Sequence, residues 1–132
     1  MEYLHKDITN NIIRTFYNVY NNLGYGFLEK VYKNAMLIES ETMGVNCVKQ
    51  KPIPVYYKSL SVGEYFADII VEGKVIIELK AAEGLIEEHE AQLLNYLKAT
   101  DIEVGLLLNF GKEPQIKRKL FENKFKEQFK SI

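Results

Sequence analysis

Apolar residues recur at intervals of three and four along residues 8–23, at Ile8, Ile12, Phe16, Tyr20 and Leu23. That spacing predicts an amphipathic helix with Asp7 or Thr9 as its cap, ended by Gly24-Tyr25-Gly26. A second helix is predicted over residues 28–43, with Leu28, Val31, Tyr32, Ala35, Met36 and Glu39 along one stripe and Gly44 as its stop. Residues 45–58 read as β structure interrupted by Pro52 and Pro54, which cannot donate to a ladder and so mark an edge strand or a bulge. Residues 59–63 read as a turn. Residues 64–71 and 74–80 then form a hairpin whose second strand alternates cleanly: Val75, Ile77 and Leu79 point one way, and Ile76, Glu78 and Lys80 the other. Residues 86–100 read as a helix with His89, Gln92 and Tyr96 on one face. The continuous run Val104-Gly105-Leu106-Leu107-Leu108 predicts a strand buried on both sides. From 74 to 110 the order strand, helix, strand is one βαβ crossover, expected to be right-handed. After Asn109-Phe110-Gly111 a strand or short helix is expected near 116–121, then weakly ordered residues.

At 132 residues the chain is expected to form one domain, 1–132, burying roughly two-thirds of the surface of its unfolded form. A single cysteine, Cys47, excludes an internal disulfide framework. With only His5 and His89 beside it, a zinc site of the Cys/His type is disfavoured as well, so any metal should be hard and oxygen-bound. No apolar run approaches the ~20 residues of a membrane span, and residues 1–7 lack the pattern of a signal peptide, so no membrane association and a cytoplasmic setting are expected. A net charge of −1 gives no footprint of a protein that coats nucleic acid by charge alone. The basic tail (Lys112, Lys117, Arg118, Lys119, Lys124, Lys126, Lys130) could touch phosphates or be a solvated face, the second being the commoner use of such a run. Tyr25, Tyr56 and Tyr57 could stack on bases, although aromatic residues are usually core.

The hairpin carries the candidate chemistry. Directly opposed residues of an antiparallel pair point the same way, so an odd-numbered loop, or a bulge that shifts the register, would put Asp68 on the same face as Glu78. Val71-Glu72-Gly73, with Gly73 left-handed, would serve. Two carboxylates can hold Mg²⁺, or Mn²⁺, with Leu79 adding a backbone carbonyl. Such a cation polarises a phosphate and lowers the pKa of a bound water, and Lys80 could orient that water or neutralise developing charge. The competing reading is a surface hairpin with a cross-strand ion pair worth under about 1 kcal/mol. The apolar company of Asp68 (Tyr65, Phe66, Ala67, Ile69, Ile70) argues for a central strand, where an ionised carboxylate needs a partner. Glu29, in the first turn of the second helix, could simply complement the helix dipole. Gln92 and Tyr96 could be a helix face half-buried on the sheet, and Tyr32 lies three residues beyond Glu29, over the same face. His89 reads as a surface residue or one bonded to a neighbour, and Cys47 as a small buried hydrophobe.

Gly26-Phe27-Leu28-Glu29-Lys30-Val31-Tyr32 is a G-x-x-E-x-x-Y motif. With Asp68, Glu78-Leu79-Lys80, Gln92-Leu93-Leu94-Asn95-Tyr96-Leu97-Lys98-Ala99-Thr100 and Asn109-Phe110-Gly111, the chain resembles the GxxExxY family of the PD-(D/E)XK nuclease-like superfamily. The match runs in order over nearly the whole chain, and one departure is visible, Ala67 where the superfamily's name has proline. The resemblance implies an α/β (α+β) fold with a mixed central sheet flanked by helices, the restriction-endonuclease-like core. It also implies Asp68 and Glu78 as metal ligands, Lys80 as the catalytic lysine, Glu29 as a first-helix glutamate reaching the same metal directly or through water, and Gln92 and Tyr96 as a Q-x-x-x-Y pair that supports the site and contacts a phosphate.

Three functions follow. The first is a Mg²⁺- or Mn²⁺-dependent nuclease acting on DNA, or less readily RNA. The second is a non-catalytic nuclease-fold module that binds nucleic acid or a protein. The third is a structural subunit assembling through apolar surface of the first two helices; a homodimer or larger complex is compatible with all three.

Overall fold

The computed structural model describes residues 4–126. Helices α1 (Lys6–Leu23) and α2 (Glu29–Thr42) precede strands β1 (Cys47–Tyr57), β2 (Leu60–Val71) and β3 (Val75–Lys80). Helix α3 (Glu87–Lys98), strands β4 (Val104–Phe110) and β5 (Pro114–Leu120) and a 3₁₀ turn at Asn123–Phe125 follow. The five strands lie in chain order across one mixed sheet. All neighbours are antiparallel except β3 and β4, which run parallel because α3 carries the chain back across the sheet. The expected α/β class and mixed sheet are therefore found.

One face of the sheet packs against α1 and α2, where Ile12, Phe16, Tyr32 and Met36 meet Ile69, Ile77, Leu79, Leu106, Leu108 and Phe110. The other face packs against α3 through Leu93, Tyr96 and Leu97, which meet Ile70, Ile76 and Leu107. Every residue of β4 is buried, as a strand covered on both sides must be. Gly105 lets α3 sit down on it, since a Cβ there would lie 2.7 Å from Leu93 Cδ1.

Several boundaries differ from the sequence reading. Asp7 and Thr9 lie inside α1, whose cap position is His5 in a left-handed conformation, and the Thr9 hydroxyl donates to the Lys6 carbonyl instead. Leu28 precedes α2 and points outward, while Tyr32, Met36 and Ser40 form the buried stripe. Tyr32 belongs to the core and not to the exposed face of Glu29: its ring stacks on Phe110 at 4.1 Å, and its hydroxyl donates to the Gly24 carbonyl and accepts the Phe27 N–H. The expected five-residue turn at 59–63 is the two-residue turn Lys58-Ser59, both left-handed, so β2 starts at Leu60. β1 is an edge strand, with a register shift between Val55 and Tyr56. The basic tail forms β5, and the 3₁₀ turn follows it. Lys126 departs from the solvated face expected there: it is buried, with its ammonium donating to the carbonyls of Thr100 and Ile102. Lys130 lies outside the described residues. Cys47 is half-buried, which pushes its thiol upward from its ordinary value.

The β2–β3 ladder has three pairs, Val71↔Val75, Ile70↔Ile76 and Ile69↔Ile77. The loop between them is thus Glu72-Gly73-Lys74, one residue later than expected but of the odd length required, with Glu72 and Gly73 left-handed. The first half of β2 runs past the end of β3 and pairs only with β1. That arm leaves Tyr65 and Phe66 more than half exposed, so they do not supply the apolar surroundings expected for Asp68.

Candidate active site

The next rung of the β2–β3 ladder would pair Asp68 with Glu78, and there the backbone bonding changes character. The Asp68 N–H donates to Glu78 Oε1 at 3.2 Å, and the Leu79 N–H donates to Asp68 Oδ2 at 2.9 Å. Each side chain has taken the place of a strand carbonyl, which fixes both carboxyl groups at the point where the strands stop pairing. Ala67 and Ile69 beside Asp68, and Ile77 and Leu79 beside Glu78, are buried and hold the two strands in position.

Glu78 is 4% exposed. Burial first, and then the negative charge of Asp68, pushes its carboxyl up from 4.5 to about 8; a hydrogen bond between the two carboxyl groups acts in the same direction. Asp68 is less buried, and its Oδ1 lies 3.3 Å from Lys33 Nζ of α2. Lys33 was not picked out in the sequence. The signal available was its place four residues after Glu29, which puts both on one face of α2.

On the α3 side, Lys80 Nζ donates to Gln92 Oε1 at 3.3 Å. Gln92 is also hydrogen-bonded to Tyr96, whose hydroxyl is pushed up to about 12 by burial and then by the charges of Glu78 and Asp68. The predicted residues Asp68, Glu78, Leu79, Lys80, Gln92 and Tyr96 are thus drawn into one cluster by β2, β3 and α3. Glu29 is not: it is exposed in the first turn of α2, one turn ahead of Lys33. His89 is a capping residue, its Nδ1 accepting the Ile86 N–H at 3.2 Å.

The segment leaving Lys80 is held by Asn109. Its amide oxygen accepts the Ala82 N–H at 2.9 Å, and its amide nitrogen donates to the Ala82 carbonyl at 3.0 Å and to Gln115 Oε1 at 3.1 Å. Gln115 Oε1 in turn accepts the Leu85 N–H. Gly111 closes the same contact, because a Cβ there would run into the Ala82 carbonyl oxygen.

The donor set at Asp68, Glu78 and the Leu79 carbonyl is all oxygen and suits a small hard cation. Among the described residues no group of three or more His, Cys, Asp or Glu side chains comes together. The protein would therefore supply two carboxylates at most, which matches the habit of Mg²⁺ of keeping several of its waters. A buried carboxyl that holds its proton near neutrality is a group such a cation would ionise.

No described helix is long and apolar enough to cross a membrane. No curated protein and no solved structure matches the chain significantly. A family model described as the PD-(D/E)XK nuclease superfamily matches residues 6–119, which include every residue of the cluster. The chain therefore belongs to the PD-(D/E)XK nuclease superfamily.

Proposed function

We propose that the protein is a divalent-metal-dependent nuclease that hydrolyses phosphodiester bonds in nucleic acid, DNA being the first substrate to test. The observation that carries this reading is the reciprocal pairing of Asp68 and Glu78 beside a lysine held by Gln92. Membership of a superfamily whose nucleases generally use divalent metals supports it. Within that superfamily, Gly26, Glu29 and Tyr32 support the narrower assignment to the GxxExxY family, because Tyr32 ties the end of α1 to the start of α2.

In this reading Asp68, Glu78 and the Leu79 carbonyl would hold Mg²⁺ or Mn²⁺, and Glu29, exposed at the start of α2, would act on it only through water. When bound, such a cation would supply Lewis-acid polarisation of a phosphate and a water of lowered pKa. Lys80 places an ammonium on the same side of the sheet, where it steers the water or offsets charge growing on the phosphoryl oxygens. Gln92 holds Lys80 in that direction, and the bulk of Tyr96 keeps bulk water away from Glu78. As ionised ligands, Asp68 and Glu78 would have no proton to move during hydrolysis.

One observation favours a second reading, a nuclease-fold module that binds without cutting. Lys33 already sits on Asp68 and Glu78 can carry a proton, so the charge of both carboxyl groups is offset with no cation at all. A cleavage assay separates the two. Degradation of single- or double-stranded substrates only with Mg²⁺ or Mn²⁺, lost in Asp68→Ala, Glu78→Ala and Lys80→Ala, supports hydrolysis. Cleavage that survives all three substitutions, or a protein that binds substrate and never cuts it with any divalent ion, rejects it.

A further inference from the structure

The β1–β2 arm, the second half of α3 and the 3₁₀ turn enclose an open groove of about 990 Å³. Its walls include Tyr56, Tyr65, Phe121 and Phe125 together with Lys58 and Lys98. Three of those rings lie largely in water, with Tyr56 56%, Tyr65 51% and Phe125 63% exposed. Among the described residues, no Asp or Glu lines the groove, although acidic residues outnumber basic ones in the chain as a whole. A ligand with flat apolar faces and negative charge complements such a surface.

The groove also leads somewhere. Tyr65 and Asn95 belong to its wall and to that of a smaller hollow of about 420 Å³, which Gln92 and Tyr96 line as well. Tyr65 and Tyr96 lie ring to ring at 5.6 Å, and Gln92 is the residue that holds Lys80. A chain lying in the groove therefore points at the Asp68–Glu78–Lys80 cluster.

We propose that this groove binds a single strand of nucleic acid, with bases stacked on Tyr56, Tyr65 and Phe125 and a phosphate held by Lys58, and delivers it to the carboxylate cluster. The delivery rests on the hydrolytic reading of that cluster; the binding does not. Exposed rings select a single strand over a duplex because duplex bases are already stacked on one another, whereas unpaired bases offer free faces. Stacking tolerates any sequence, so little sequence preference is expected.

The test is fluorescence anisotropy of the whole protein in EDTA, where no metal-dependent cleavage occurs, using short labelled single-stranded DNA, single-stranded RNA and duplex DNA of one sequence. Single strands should bind more tightly than the duplex, and the DNA and RNA arms show which is preferred. Tyr56→Ala and Phe125→Ala should each weaken single-strand binding about tenfold, whereas Tyr56→Phe keeps the ring and the affinity. Lys58→Gln should lower the slope of log affinity against log salt by about one. All three side chains are exposed, so unchanged melting temperatures accompany these losses. Equal binding of duplex and single strand, or binding indifferent to Tyr56 and Phe125, overturns the inference. So does light scattering that shows a dimer turned to monomer by Tyr56→Ala, since the groove is then covered by a second copy. A protein that binds single strands in EDTA through these residues and never hydrolyses them sinks the nuclease reading alone, and one that cuts without using the groove sinks this inference alone.

Discussion

Glu78 Oε1 accepts the Asp68 N–H, and one residue further on Asp68 Oδ2 accepts the Leu79 N–H, so each carboxyl holds the other's strand in place. The price of this closeness falls on Glu78, whose carboxyl is pushed from 4.5 to about 8 by burial and by Asp68. The folded protein therefore binds a proton that the unfolded chain releases. Its contribution to stability is full below about pH 4.5 and is lost as pH rises towards about 8, at a limiting rate of about 1.4 kcal/mol per pH unit. Denaturant midpoints of the metal-free protein should fall across that window, and Glu78→Gln, which cannot ionise, should flatten the fall. Adding Mn²⁺ at pH 7 should release close to one proton per ion bound, seen as a dependence of calorimetric heat on buffer ionisation enthalpy. Absence of any proton release means that the ion does not bind at Glu78.

Lys33 competes for the same charge. Its ammonium lies 3.3 Å from Asp68 Oδ1, with both side chains about four-fifths buried, so a cation arriving at Asp68 must displace it or share the oxygen. Lys33→Met should tighten Mn²⁺ binding several-fold, corresponding to about 1 kcal/mol for a pair at this depth. Asp68→Asn should remove the binding. Calorimetric titration of the three proteins checks both statements; weaker binding in Lys33→Met would make Lys33 a supporter of the site.

The sequence disclosed the parts of this site that a strand's alternation controls. Glu78 and Lys80 could be placed on one face because Val75, Ile77 and Leu79 occupied the other, and an odd loop brought Asp68 to their side. Lys33 could not be read in the same way. Helical spacing says which residues of α2 lie together, but not which strand passes beneath them. The exposure of Tyr65 and Phe66 has a related reason: apolar content predicts burial only where strands on both sides and the helices above cover it, and the first half of β2 runs past β3 and pairs only with β1. The raised pKa of Glu78 comes from its burial and then from Asp68, and that burial is a product of tertiary packing that leaves no local trace in the chain.

Asn109-Phe110-Gly111 has a physical explanation in the structure. Asn109 satisfies both backbone groups of Ala82, two residues beyond Lys80, and Gly111 leaves room for the Ala82 carbonyl. Gly111→Ala should cost more stability than Gly105→Ala, because the first drives a methyl into backbone whereas the second meets the end of the Leu93 side chain, an overpacking of typically 1–3 kcal/mol. Asn109→Ala should lower cleavage more than it lowers metal affinity, since it loosens the segment that leaves Lys80 and touches neither carboxyl. Chemical denaturation ranks the two glycine variants, and paired cleavage and titration experiments test the asparagine.

Tyr32 connects the start of α2 to the rest of the core without touching the cluster. Its ring is stacked on Phe110 and fully buried, and its hydroxyl is shared between the Gly24 carbonyl and the Phe27 N–H. Tyr32→Phe keeps the stack but leaves those two backbone groups without this partner, a loss of about 1–2 kcal/mol. Tyr32→Ala also opens a cavity and should cost about 3–5 kcal/mol. The loop that Tyr32 braces precedes Glu29 and, one helical turn later, Lys33. Tyr32→Phe should therefore change the Mn²⁺ affinity less than Lys33→Met does while lowering the unfolding midpoint more. The opposite ranking in denaturation and titration would place Tyr32 in the metal site and not in the frame that supports it.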